Sequence, residues 1–426
     1  MSSRDSIHRS VIDGSLFTTL AEDVFTLVQA QLTLLDEFLV SANLAMTDTG
    51  DAIVADALLS IFRILYCKQM HYGRSSLFLR DVDSCIARAN DYWMMGEKTN
   101  SMMENISETH YNHLTWKAEK SKRALAEWDI AANLVKQEAS NVIDRMNLDA
   151  VEASHHVAIC VIQIIQQLDI PRELFSRHWE EDLTNNEVAK YIVRVYANYL
   201  PDIEHSLVSD CLFHKVVITL ARCTICFYLK SFLFKASRLR SSNPWYDGDK
   251  KRKEFFRNPR RALMRMTHDI EVFQNFFLTL CEGSAALTKI ISNEFSVFRL
   301  LFLECSSYAV GQNSTDTLEN FIIVIHKRTG ANSDITRYFL SDVFILMSER
   351  RELNYCVRDS IRNMKGDLDM VKESVEEGKN SDLPAQARSA AYAFFQVDEM
   401  LKEVYEERIL QENTDFCGTL RKTLEM

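Results

Sequence analysis

The scarcity of glycine and proline is the feature that most constrains what this chain can fold into. Only 11 of the 426 residues are glycine and 5 are proline, and residues 101 to 146 contain neither. Sandwiches, barrels and Rossmann-type α/β folds need many tight turns, which these two residues usually supply. The composition therefore disfavours such folds and favours long helices joined by short connections.

Apolar residues recur at intervals of three and four almost from end to end, which is the period of an α-helix with one face against a core. We expect Gly73 and Gly96 to bracket one helix, and residues 101 to 146 to form one long helix or a broken pair. The predicted fold is all-α, an elongated rod of consecutive helical bundles with at least twelve helices. In the first helix the stripe expected to face the core comprises Leu20, Val24, Leu27, Val28, Gln31, Leu34, Leu35, Phe38 and Leu39.

The character of the sequence changes near residue 150. From Val151 onward the predicted helices are more apolar and more clearly separated from one another. We therefore predict an N-terminal helical bundle with a long helix at residues 1–150, and C-terminal helical bundles at residues 151–426. A single core is not expected at this length, because chains beyond about 250–300 residues divide into several.

The charge balance argues against a broad nucleic-acid interface. The chain has 49 basic and 60 acidic residues, which gives a formal net charge of −11. An extended positive surface, which nucleic-acid binding requires, is not expected from this balance. No nucleic-acid partner is predicted.

No apolar stretch is long enough to span a bilayer. The longest, Val216–Leu229, already contains Arg222, and it predicts a buried helix because a span needs about 20 apolar residues. The segment Met1–Asp5 lacks the basic and apolar regions of a signal peptide. Ten cysteines, mostly in apolar helical stretches, suit a reducing compartment. The predicted location is cytoplasmic.

Two groups of residues have the spacing of metal or redox sites. Cys223 and Cys226 form a CxxC pair, but the pair lies inside an apolar helix and a zinc site would need a second pair. His156 and Cys160 lie one helical turn apart among apolar residues. For both groups we favour a packed core over a ligand site.

No catalytic motif is present in the sequence. An all-α prenyl-transfer enzyme would need an aspartate-rich face that holds magnesium and diphosphate, and the acidic pairs Asp81/Asp83 and Asp247/Asp249 lack that spacing. The phosphate-binding, zinc-protease, nucleophile-elbow and dinucleotide motifs are also missing. No catalytic residue, metal ligand or cofactor is predicted.

One basic cluster stands out between Lys235 and Arg265, with eleven bases against three acids, a local charge of +8. A solvated helix face is one interpretation. The other is a patch for an anionic lipid or an acidic partner, attracted with about 1 kcal/mol per base near an anionic membrane. The candidate patch residues are Lys250, Lys251, Arg252, Lys253, Arg257, Arg260 and Arg261.

From Leu168 to Leu368 a series of features appears in a familiar order. Leu174-Phe175 and Trp179 mark a short helix, and Val216–Leu229 is followed by the basic cluster and Asp269. Further matching positions are Ile192, Tyr196, Tyr199, Asp202 and Leu207, then Asp342–Met347, Glu352-Leu353-Asn354, Ile361 and Met364–Leu368. In order and residue type this region resembles the C-terminal region of the exocyst complex component 3 family, in a divergent or shortened form.

The resemblance implies a non-enzymatic scaffold that tethers secretory vesicles to the plasma membrane as part of the exocyst. It implies other exocyst subunits as partners, with plasma-membrane SNARE proteins and peripheral membrane contact as further candidates. The implied location is cytoplasmic, peripheral at the plasma membrane or at secretory vesicles. Among its residues we expect Trp179, Phe175, Tyr196 and Tyr199 to be structural anchors.

Two alternatives remain open on the sequence. The chain could be a helical adaptor of another trafficking or signalling complex, since stacked helices offer grooves for partner helices. An all-α enzyme of the prenyl-transfer type is the less favoured alternative.

Overall fold

The computed structural model describes residues 7–10, 12–44, 47–75, 81–117, 122–167, 170–175, 179, 187–241 and 259–309. Within that part the chain is almost entirely helical. The helices are α1 (Leu20–Ser41), α2 (Asp48–Ser75), α3 (Val82–Lys117), α4 (Lys122–Gln167), α5 (Ile170–Glu173), α6 (Glu187–Ser206), α7 (Asp210–Ser241), α8 (Pro259–Thr279) and α9 (Ala285–Ala309). The strands β1 (His8–Arg9) and β2 (Leu16–Phe17) form an antiparallel hairpin in which His8 faces Phe17. The predicted all-α class is confirmed.

Between residues 101 and 146, where one long helix or a broken pair is expected, the structure describes α3 as far as Lys117 and α4 from Lys122. Residues 118–121 lie outside the described ranges, so the choice between the two arrangements stays open. The expectation for Gly73 and Gly96 was wrong, because Gly73 lies inside α2 and Gly96 inside α3. A Cβ at Gly96 would lie 3.2 Å from Asn147 Oδ1 of α4. The missing side chain there permits a close helix–helix approach rather than a helix end. The predicted total of at least twelve helices depends partly on residues outside the described ranges and stays a prediction.

The chain divides into two compact units. Unit 1 takes in the described residues between Met1 and Val157 together with Asp202–Phe213, and unit 2 takes in those of Ala158–Pro201 and from His214 onward. The predicted domains at residues 1–150 and 151–426 stay a prediction.

In unit 1 the side chain of Asn90, on α3, joins three backbone segments. Its Nδ2 donates to the carbonyl oxygens of Leu16 and Ser206, both at 2.8 Å, and its Oδ1 accepts from the Val208 amide at 2.9 Å. The neighbouring Asp91 accepts from the amide and hydroxyl of Thr18. The N-terminal hairpin is thus fixed to α3 through buried polar groups that all have partners.

The turn of the same hairpin requires a glycine. Gly14 has φ +79°, a conformation that L side chains rarely adopt, and a Cβ there would lie 2.5 Å from Nε2 of His205. Any other residue would be strained and would also have to displace the imidazole.

The stripe of α1 does not all face the core, which corrects the expectation from its periodicity. Ala21, Val28 and Leu39 are buried, but Leu27, Leu34 and Phe38 are exposed. The reason is geometric: at 100° per residue the stripe spans about 140° of the helix circumference, and the contacts with α2 and α3 cover one edge of it. One edge of the apolar stripe is therefore packed and the other edge is exposed.

Unit 2 is built around α6, α7, α8 and α9. Phe277 of α8 packs on Phe295 of α9 at 5.8 Å between ring centroids. On α7, Arg222 donates from Nε and Nη2 to Oε1 of Glu294, at 3.1 and 2.9 Å, with both side chains largely buried. This ion pair ties α7 to α9, and the core of unit 2 lies between these helices.

Two stretches of the described residues are long and apolar enough to cross a membrane, Leu20–Ser41 and Ala132–Ile165. By length and composition this differs from the expectation that no segment could span. In the first stretch 11% of the apolar window is buried, and in the second 67%. Core helices of soluble proteins pass the same test, so the finding assigns no span by itself.

Candidate functional site

The polar centre of unit 2 is the buried carboxylate of Asp269 on α8. Oδ2 of Asp269 accepts a hydrogen bond from Trp179 Nε1 at 3.0 Å and another from the Tyr228 hydroxyl, on α7, at 2.7 Å. A buried carboxylate is costly unless it is hydrogen-bonded, and these two donors lower that cost. Asp269 therefore joins the segment around Trp179, α7 and α8 at one point.

The aromatic rings around this carboxylate interlock. Phe175 contacts the rings of Trp179 and Tyr228 edge to face, each with 4.9 Å between centroids, and Tyr228 meets Phe273 in the same way at 5.7 Å. Phe175 has φ +59°, a left-handed conformation that is strained for a bulky residue. The strain is tolerated because the ring is fully enclosed by its neighbours.

A cation accompanies the carboxylate on the same face of α8. Arg265 lies one turn before Asp269, is almost fully buried, and has its guanidinium 5.9 Å from the centroid of the Trp179 ring. That distance suits a cation–π contact. Opposite charges one turn apart on one helix face lower the cost of burying each other, which suits two charged residues in the apolar stripe between Ala262 and Phe273.

Burial raises the pKa of the Tyr228 hydroxyl well above its ordinary value, and the charge of Asp269 raises it further. Tyr228 therefore stays protonated and acts as a donor to Asp269. Burial also raises the pKa of Tyr196, whose hydroxyl is hydrogen-bonded to Thr224 Oγ1 at 2.8 Å. These tyrosines are fixed donors and not acid–base groups.

Three of the four expected anchor residues lie in this core. Trp179 is 2% exposed, and Phe175 and Tyr196 are buried with it. Tyr199 differs from the expectation, because it is 40% exposed. The buried stripe of α6 runs through Ile192, Tyr196 and Leu200, and Tyr199 lies at the edge of that stripe.

The candidate basic patch is not assembled in the part of the chain that the structure describes. Lys250, Lys251, Arg252, Lys253 and Arg257 lie outside the described residues. Pro259 begins α8 and Arg260 follows it, although the side chain of Arg260 is outside the description. Arg261 is exposed in the first turn of the helix. Bases at this end add to the positive end of the helix dipole instead of offsetting it.

The groups with metal-like spacing lie in helix interiors. Cys223 is fully buried in α7, and the side chain of Cys226 is outside the described residues. His156 Nδ1 contacts the backbone oxygen of Glu152 at 2.9 Å, and burial lowers its pKa. Among the described residues no three His, Cys, Asp or Glu side chains come together as a metal site.

The sequence analysis missed Arg265 as part of the core and used Asp269 only as a matching position. The signal was available, because the two charged residues are spaced i,i+4 within an apolar stripe of 3.6-residue period. Such a pair predicts a buried, mutually compensating arrangement.

The fold and this interlocked core define the class of protein, a helical bundle. Comparison with known proteins gives the family: the model for "Exocyst complex component Sec6" matches residues 80–322, more than half of the chain. The chain belongs to this exocyst Sec6 family, and its role is that of a non-enzymatic subunit in vesicle tethering, with other exocyst subunits as partners. This membership rules against the prenyl-transfer alternative.

A solved structure, described as the C-terminal domain of the exocyst subunit Sec6p, is similar in fold. It shares 15% sequence identity with this chain, with a TM-score of 0.51, over 90% of this chain and 88% of that one. At this identity the likeness shows a shared fold. No curated protein matches the sequence significantly. The resemblance to the exocyst is confirmed, while the specific component 3 assignment is a finer claim.

Proposed function

We propose that this chain acts as a component 3 type subunit of the exocyst and helps to hold secretory vesicles at the plasma membrane. The family match over residues 80–322 carries the proposal. It is supported by the core around Asp269, which lies within the matched region and joins three segments into a firm support for partner surfaces. We place the protein in the cytoplasm, peripheral at the plasma membrane or at secretory vesicles.

Affinity purification of the full tagged chain from its source cell tests this function. We expect several exocyst subunits in near-equal amounts, and they should remain after a high-salt wash if the contacts are largely apolar. An unrelated helical-bundle protein with the same tag is the control. Recovery of another stable complex without a tethering subunit would overturn the proposal in favour of an adaptor of that complex.

We further propose contact with plasma-membrane SNARE proteins, which rests on the family resemblance alone. The soluble part of a plasma-membrane SNARE, immobilised on beads, should retain the purified chain. Retention no greater than on beads carrying an unrelated coiled coil would remove this contact and leave the tethering role intact.

The basic segment is proposed as a peripheral membrane contact. Its local charge of +8 and the exposed Arg261 at the positive end of α8 support attraction to an anionic surface. Replacing Lys250, Lys251 and Lys253 with glutamate should abolish binding to phosphoinositide-containing liposomes, and binding of the unmodified chain should weaken with salt.

A matched control for that variant changes three dispersed lysines to glutamate. Lys136, Lys190 and Lys289 are exposed and lie on three different helices. The control has the same net charge as the patch variant and should keep its liposome binding. If both variants bind as the unmodified chain does, or if the unmodified chain does not bind, the segment is only a solvated basic stretch.

A further inference from the structure

Helix α1 presents an apolar seam away from the core of unit 1. Leu27 is 66% exposed, Leu34 is 58% exposed and Phe38 is 54% exposed. Isolated exposed apolar residues are common, but these three share one face of the helix at spacings of seven and four. The other edge of the apolar stripe, about 110° round the helix, is packed, with Ala21, Val28 and Leu39 buried.

The spacing of this seam is that of a coiled coil. Leu20, Val24, Leu27, Gln31, Leu34 and Phe38 alternate in steps of four and three, the heptad positions d and a in succession. Such a seam receives the knobs of one facing helix. A single polar residue at an a position, here Gln31, is a feature that fixes the register of pairing at a cost in stability.

The charges beside the seam have one sign. α1 contains Glu22, Asp23, Asp36 and Glu37 and neither lysine nor arginine. Asp23 and Glu37 fall at the g positions that flank the seam on its solvent side, about 21 Å apart along the axis at 1.5 Å per residue. The residues at the e positions, on the other flank, are Ala21, Val28 and Leu35.

This charge pattern selects among the possible occupants. A second copy of the chain paired antiparallel would bring Asp23 opposite Glu37 at both ends, which is repulsive. An anionic membrane surface attracts amphipathic helices through lysine and arginine, which α1 lacks. A helix with bases facing Asp23 and Glu37 has complementary charge and would cover the apolar seam.

We propose that α1 is a docking seam for one amphipathic helix of another protein, with leucine-like residues at its a and d positions and Lys or Arg opposite Asp23 and Glu37. This inference rests on the proposed function, because the docked helix would belong to another exocyst subunit. It lies outside residues 80–322, so it assigns a contact to the part of the chain that the family match does not reach.

A designed peptide tests the seam directly. The probe is a three-heptad helix with leucine at a and d and lysine at the flanking positions, and its partner probe has glutamate in place of each lysine. The full chain should bind the lysine peptide at least about tenfold more tightly than the glutamate peptide. Leu27→Gln with Leu34→Gln should weaken binding of the lysine peptide by about a hundredfold.

Charge reversal provides the specificity test. Asp23→Lys with Glu37→Lys should transfer the preference to the glutamate peptide. The control, Glu22→Lys with Asp36→Lys, makes the same change in net charge on the far face of α1 and should leave the preference unchanged. Val40→Gln is the matched control for loss of an exposed apolar side chain, since Val40 is 66% exposed and off the seam.

Several outcomes would overturn the proposal. The first two are equal affinity for the two peptides, and unchanged peptide binding by a leucine variant that keeps its helicity. The third is dimerisation of the chain through α1, measured by sedimentation. The fourth is a leucine variant that loses binding to vesicles but keeps binding to the peptide. Co-purification separates this from the proposed function. If exocyst subunits co-purify equally with unmodified chain and leucine variant, the seam fails and the tethering role stands. If no exocyst subunit co-purifies with the unmodified chain, the tethering role fails, and the peptide-binding assay still tests the docking seam.

Discussion

Asp269 shows how a charged residue can belong to the core of a helical bundle. Its carboxylate accepts hydrogen bonds from Trp179 and Tyr228 and lies one helical turn from Arg265. Each of these groups is costly to bury alone, and together they fix the segments that carry them in one arrangement. The role we assign to this cluster is to position helices, and not to carry out chemistry.

Removing one donor from Asp269 should destabilise unit 2. Tyr228→Phe keeps the ring but leaves the carboxylate with one donor fewer, and we expect a loss of about 1–3 kcal/mol in the free energy of unfolding. Tyr199→Phe makes the same chemical change at a side chain that is 40% exposed, and should cost about 0.5 kcal/mol or less. Urea unfolding of the full chain measures both, and equal losses would contradict the role of Asp269.

The partly buried side chain of His156 predicts a dependence on pH. Burial lowers the pKa of the folded-state imidazole below its ordinary value of 6.5, and Arg88 lowers it further. In the unfolded chain the imidazole takes up a proton near pH 6.5, whereas the folded chain does so only at lower pH. Its contribution to stability is therefore present above pH 6.5 and lost as the pH falls below it.

His156→Gln should flatten this dependence. The difference in midpoint temperature between pH 7 and pH 5.5 should be smaller in the variant than in the unmodified chain. His8→Gln, at an exposed site, is the control and should retain the full difference. An identical difference in all three proteins would show that carboxylates and not His156 cause the pH dependence.

Among single residues, the sequence could identify large aromatic side chains that become buried, and it could not resolve the edges of a buried stripe. Trp179 and Phe175 lie in a short apolar segment, and both are buried. Tyr199 lies three residues from Tyr196 on α6 and is half exposed. Periodicity gives the angle of a side chain around its helix, but the width of the covered face depends on neighbours that the sequence does not place.

In unit 1 the side chain of Asn90 connects several elements through hydrogen bonds. Asn90 makes three hydrogen bonds to the backbones of the N-terminal hairpin and the segment after α6. The hairpin itself has only two residues in each strand, and so short a ribbon is not stable alone in water. Its presence depends on the contact with α3.

Asn90→Ala should release this hairpin. Two buried backbone groups and one partly buried group lose a partner, and each buried unsatisfied group costs about 1–3 kcal/mol. Amide hydrogen exchange should accelerate at Val208 and in the hairpin while remaining slow in α8. Asn100→Ala is the matched control on the same helix, because the Asn100 amide donates to Glu104 at the surface. Unchanged exchange in the Asn90 variant would show that the hairpin is held by other contacts.

The helices were predictable and the hairpin was not, for the same physical reason. A stripe of 3.6-residue period is a local property that the sequence of α1 or α8 displays directly. A two-residue strand has no such pattern. In the sequence Asn90 cannot be told from any other polar residue, because only the fold places the backbones of Leu16 and Ser206 next to it. The exposure of Leu27 and Phe38 was likewise hidden, because periodicity does not tell which edge of an apolar stripe receives a neighbour.

At the scale of the whole molecule, charge is distributed unevenly along the chain. The segment from Lys235 to Arg265 carries +8 within a net charge of −11, and α1 carries four acids and no base. Helical surfaces of opposite charge suit a scaffold that binds several partners, because each surface repels a partner of its own sign. Family membership and helical fold agree with that role, and the two charged regions are our candidates for its contacts.

The most direct test of the tethering role is the time that secretory vesicles remain at the plasma membrane after acute depletion of this protein. Vesicles tracked by evanescent-field microscopy should still arrive, but their residence times should shorten and unfused vesicles should accumulate. Re-expression of the unmodified chain should restore residence, and a variant with Trp179→Ala, which should unfold unit 2 in part by losing about 3–5 kcal/mol, should not. Unchanged residence and unchanged secretion in depleted cells would contradict the account.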